Sequence, residues 1–146
     1  MPRARGPRYP WMRSKAVLFY LLMLLAHVAH VFEETWGGFW ILGRIGLAWF
    51  LAINWVLFLI PVTALYFILQ RKRWAFQLGI LYAGFMSVQG LGHNIAAILT
   101  GRYFGGYAGG FSGIAMIVIS WPLVRDLMKE MPERQDPAPR VNSASR

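Results

Sequence analysis

Apolar residues in this chain gather into four long, nearly continuous runs instead of alternating or striped patterns. The runs cover about 15–35, 46–70, 74–100 and 110–128. Each has close to or more than the ~20 mostly apolar residues a helix needs to cross the hydrocarbon core of a bilayer. Lipid gives the backbone no hydrogen-bonding partner, so runs of this kind close their own bonds as helices. The pattern predicts an all-α protein, a polytopic membrane four-helix bundle over residues 15–128. A basic segment, 1–14, precedes it, and a polar, Pro-rich tail, 129–146, reads as disordered. Pro61 is expected to kink the second helix, and the glycines of "GLGH" (90–93) to let the third approach a neighbour closely.

Composition agrees with this. Hydrophobic residues make up 57% of the chain and charged residues 14%, which is too apolar for an ordinary soluble domain. There is no cysteine, which excludes disulfides, thiolate metal sites and a cysteine nucleophile. A net charge of +9 raises the question of a nucleic-acid partner, and its distribution answers it. Thirteen of the fifteen basic residues lie before or at the first residue of the first run, between the second and third, or after the start of the last turn of the fourth. Only Arg44 and Arg102 lie in the other two connections. By the positive-inside rule both termini are cytoplasmic and the protein is a multi-pass protein of the cell's inner (plasma) membrane. Its charge then faces anionic membrane lipids, with no nucleic acid implied. A cleaved leader over 1–29 would suit the basic start, but no pair of small residues marks a cleavage site, and a cut near Ala29 would remove His27.

Against this apolar background "HVAHVFEE" (27–34) stands out, with two histidines and two glutamates in eight residues. All three histidines of the chain, His27, His30 and His93, lie in predicted spans. With the first and third helices running outward and the second inward, His27, His30, Glu33, Glu34, Asn54, His93 and Asn94 fall at one level in the outer half. Helix geometry of about 100° per residue points His27, His30 and Glu34 to one face, with Glu33 on its margin; Gln89 and His93 share a face of the third helix. Ionisable groups at membrane depth point to function. Imidazole and carboxylate donors suit zinc, iron or manganese, and two histidines with one carboxylate leave coordination positions open. The metal set is His30, Glu34 and His93 with Glu33 and His27 as further candidates. Glu33 and Glu34 are candidate catalytic carboxylates, and Gln89, Asn94 and Asn54 are supporting residues. The plainer alternative ends the first helix in water at Glu33 and Glu34, with His27 as a buried hydrogen-bonding residue.

The run "HVFEE" (30–34) matches H-x-x-E-E, and the chain thereby resembles the HXXEE family of small multi-helix bacterial membrane proteins. A later N-x-x-x-H pattern of that family is matched by "QGLGH" (89–93), with Gln89 in place of asparagine, followed by "RYFGGYAGG". The resemblance covers roughly residues 20–125. It implies His30, Glu33, Glu34 and His93 as functional positions and names no reaction.

The segment "TGRYFGGYAGGFSG" (100–113), with six glycines, reads either as a flexible lid over a lipidic substrate or as an interfacial aromatic belt. Arg102 is the one cation there suited to a head group. No P-loop, G-x-G-x-x-G or G-x-S-x-G pattern is present. Three functions fit. The first is a metal-dependent enzyme, hydrolase or oxidoreductase, acting on a lipid or isoprenoid-like molecule. The second is a small subunit binding haem, a pigment or a larger membrane complex. The third is a proton- or ion-handling helper. Self-association as a homo-oligomer is compatible with each.

Overall fold

The structure is a computed structural model that describes residues 14–133. The expected basic segment up to residue 13 and the expected tail from residue 134 lie outside the described residues. Five helices follow in order: α1 (Lys15–Gly37), α2 (Leu42–Ile45), α3 (Leu47–Leu69), α4 (Arg73–Thr100) and α5 (Gly110–Glu130), with no strand among the described residues. α5 continues two residues past the expected boundary at 128. A single wide, irregular turn, Tyr103–Tyr107, interrupts the connection before α5.

Local chemistry sets the ends of these helices. Ser14 caps α1 by accepting from Val17 N at 3.1 Å. The Glu130 carboxylate then accepts from Ser14 Oγ at 2.6 Å and Ala16 N at 3.2 Å, tying the start of α1 to the end of α5. At the other end of α1, Gly38 adopts φ 70° and returns its N–H to the Glu34 carbonyl, the left-handed closure that glycine favours. α3 continues as one helix through Pro61.

α1, α3 and α5 are each long and apolar enough to cross a membrane. α4 has the length but not the hydropathy, because Gln77, Ser87, Gln89, His93, Asn94 and four glycines dilute it. α4 packs most extensively on α5, and α5 on α1; α3 leans more lightly on α4 and α1. Closest approach comes where Gly90 of α4 meets the backbone of Gly113 of α5, a crossing that only two glycines allow. Gly92, the other glycine of that motif, has open space around it. Tyr20, Met23, Phe76, Met86, Met116, Leu123 and Leu127 form the core between these helices. α3 buries only Phe50, Pro61, Ala64 and Ile68 and leaves Trp49, Trp55, Val56 and Leu59 more than half exposed. A surface this apolar is far beyond what a water-soluble monomer presents.

Candidate metal centre

His30 and Glu34 are one turn apart on α1 and project from the same face. α4 brings His93 against them. All three side chains are buried, at 1%, 2% and 6% exposure. Glu34 Oε1 lies 3.1 Å from His93 Nε2 and 3.5 Å from His30 Nε2, and one ligand atom from each residue falls within 4.8 Å of the others. The group can hold a metal ion.

The rear of each imidazole is fixed by the 101–109 connection. His30 Nδ1 lies 3.1 Å from the Gly109 carbonyl and 3.0 Å from Ser112 Oγ; His93 Nδ1 lies 3.4 Å from the Tyr107 carbonyl. A carbonyl can only accept, so each Nδ1 donates and each Nε2 turns a lone pair toward Glu34. Two lone pairs and a carboxylate oxygen repel one another unless something positive lies between them. A proton shared by Glu34 and His93 satisfies that pair alone. His30 Nε2 is still left as a fully buried atom with no hydrogen-bond partner, its nearest carboxylate oxygen being Glu34 Oε1 at 3.5 Å. One cation meets all three donors. Two of the donor separations, 3.1 and 3.5 Å, are short enough for one shared ion, and all three donor atoms lie within 4.8 Å of one another.

Gly109 holds this arrangement together. Its φ of +120° is closed to ordinary residues, and a Cβ there would come within 2.6 Å of the His30 ring and 2.9 Å of His93 Nδ1. The two rings meet edge to face with centroids 4.8 Å apart, and Phe39 covers His93 at 4.7 Å. Tight closure of the first connection helps: Gly37 has no room for a Cβ against Ala108, and Trp40 N donates to the Gly106 carbonyl at 3.0 Å.

The other expected site residues are placed elsewhere. Glu33 lies outside the ligand group and caps α5 from across the molecule. It accepts from Phe111 N at 3.0 Å, Ser112 N at 2.8 Å and Ser112 Oγ, occupying both oxygens with the otherwise unpaired donors of a helix start. His27 shares the angular face of Glu34 but sits seven residues, ~10.5 Å, along the axis, too far to share an ion with it. Its Nδ1 pairs with Tyr82 Oη at 3.1 Å and its ring packs on Phe58. Asn94 Nδ2 bridges the Gly90 and Gly110 carbonyls at 2.8 and 3.0 Å, fastening α4 to α5. Asn54 donates to Phe50 O in its own helix at 2.9 Å, and Gln89 borders the space between α3 and α4. Arg102 is exposed. Gly109, Ser112, Phe39 and Tyr82 were not singled out by sequence; the Gly109–Gly110 doublet before an apolar run was the one available sign.

Comparison with protein-family models, curated proteins and solved structures found no match to this chain.

Proposed function

We propose that the chain is a multi-pass inner-membrane protein, a four-helix bundle with both termini cytoplasmic, built around a divalent metal centre near the outer leaflet. The observation that carries the metal reading is the orphaned lone pair of His30 Nε2, buried beside Glu34 and His93. His30, Glu34 and His93 hold zinc, iron or manganese and leave positions open, the arrangement of a metal-dependent enzyme. The substrate is a lipid or isoprenoid-like molecule, because the outward faces of the helices are apolar. Such an ion supplies an activated water for hydrolysis or, as iron, redox chemistry. The resemblance in H-x-x-E-E supports the same residues, with Glu33 as a brace instead of a ligand.

Parity supports the fourth crossing. Glu130 touches Ser14 and Ala16, so the chain enters and leaves on one face. Three crossings would separate those ends, and α4 restores an even number. Of its polar residues, His93 is buried, Ser87, Gln89 and Asn94 are half-buried, and the exposed Gln77 lies one turn from the start of the helix.

Elemental mass spectrometry on detergent-purified protein tests the centre. Near-stoichiometric zinc, iron or manganese, lost in His93→Ala, is the expected result. Metal-free wild type, purified without chelators, would sink the metal reading and favour a small-subunit role. For orientation, single cysteines placed at 37–43 and 101–109 should react with impermeant reagent from outside; labelling of both only from the cytoplasmic side would reverse the topology.

A further inference from the structure

His27 and Asn54 take no part in the metal group, yet they stand together at membrane depth. Two apolar cavities, of about 210 Å³ and about 270 Å³, meet at these two residues. The first lies between α1 and α3, beside Val31 and Trp55; the second lies between α3 and α4, beside Phe85 and Gln89. Each is smaller than the ~300–1,000 Å³ usual for a ligand site, and the pair together reaches it. The occupant that fits is therefore elongated, passing under the loosely held α3 from one cavity to the other.

The waist between the cavities is polar in a specific way. His27 is 6% exposed, and its Nδ1 is taken by Tyr82 Oη. A phenol is the stronger proton donor and an imidazole nitrogen the better acceptor, so Tyr82 Oη–H is assigned as donor to His27 Nδ1, which leaves Nε2–H as a donor. Asn54 spends its Nδ2 on Phe50 O, which leaves Oδ1 as an acceptor. Neither free atom has a protein partner among the described residues, and hydrocarbon offers none. Both residues line both cavities, and the group that can answer one donor and one acceptor through a single oxygen is a hydroxyl.

We infer that the paired cavities under α3 form a binding site for a long-chain alcohol, whose hydroxyl accepts from His27 Nε2 and donates to Asn54 Oδ1. The inference rests on the membrane reading and names the substrate class for it, but it does not require the metal. An ester or a plain acyl chain lacks the donor that Asn54 needs. A hydrocarbon answers neither group.

The test uses the full chain in lipid nanodiscs and a diazirine-bearing hexadecanol. Labelling should fall on α1, α3 and α4, and unlabelled hexadecanol should compete about tenfold better than its methyl ether, with hexadecane weaker still. An isoprenoid alcohol of similar length, run in parallel, tells a branched chain from a straight one. Asn54→Leu should erase the preference for alcohol over ether, and His27→Phe the preference for ether over hydrocarbon. Equal competition by hexadecanol and hexadecane in the wild type would overturn the inference, leaving a general groove for lipid tails. Labelling confined to other segments would overturn it too. Because the competitor series is read on wild-type protein, it holds even where a variant misfolds. His30→Ala separates the two proposals: it should lose metal and keep alcohol labelling. Alcohol-selective labelling of a metal-free wild type would end the metal reading and leave this one standing.

Discussion

The two ends of this molecule are held by different physics. Where α1 begins and α5 finishes, Tyr20, Met23, Phe76, Leu123 and Leu127 are at most 1% exposed and touch one another through apolar surface. At the opposite end, beside Phe39 and Ala108, the buried residues include His30, Glu34 and His93, and carbonyls of a glycine-rich connection hold the two histidines. Packing contacts are many, individually weak and partly interchangeable. Hydrogen bonds to a backbone carbonyl are few and directional, and each fixes the orientation of a particular ring. One end sets where the helices stand. The other sets which atoms face each other.

That contrast can be broken from either side. The largest effect is expected from removing a ligand: His30→Ala should abolish tight metal binding, read by elemental analysis, while the detergent-solubilised protein stays folded. Leu127→Ala, at the apolar end, should cost about 3 kcal/mol in reversible unfolding as a cavity opens, with metal affinity unchanged. Gly109→Ala should do the reverse. Its Cβ displaces the His30 ring, weakening metal about 100-fold by competitive chelator titration, with a smaller change in overall stability. Glu33→Gln should cost about 1–2 kcal/mol, because a charge-assisted cap on α5 becomes a neutral one. Unchanged stability with lost turnover would instead make Glu33 a catalytic base. Smallest is Tyr20→Phe, about 1 kcal/mol for one hydrogen bond of 3.0 Å to the Pro61 carbonyl, with the metal undisturbed. If mutations at the two ends proved strongly non-additive, the division itself would fail.

Much of the fold was legible in the apolar runs, although α4 falls short of the hydropathy of the other three long helices and the short α2 lies inside a connection. The expected 15–35, 46–70, 74–100 and 110–128 differ from the observed helices by two residues or fewer at each end. The pairing of His30 with Glu34 follows from one helical turn, and His93 was found by matching depth across two helices. Angular projection alone misplaced His27 beside Glu34, since it ignores the rise along the axis. The role of Glu33 was hidden because its partners, Phe111 and Ser112, lie far along the chain and expose their N–H groups only once α5 begins. Gly109 was hidden for the opposite reason. In a connection with so many glycines, the doublet before α5 is the one sign in the sequence, and it does not say which glycine is wedged between two imidazoles.

The conformation of Gly109 also bears on how such a protein can change over time. Every other amino acid carries a Cβ, so no single substitution at this position avoids the His30 ring. A lineage leaving glycine here would first have to re-route the connection that supplies carbonyls to both histidines, and each intermediate on that route would carry a loosened centre. The wedge therefore acts as a ratchet: once the two rings had closed around it, this position lost its neutral neighbours in sequence space.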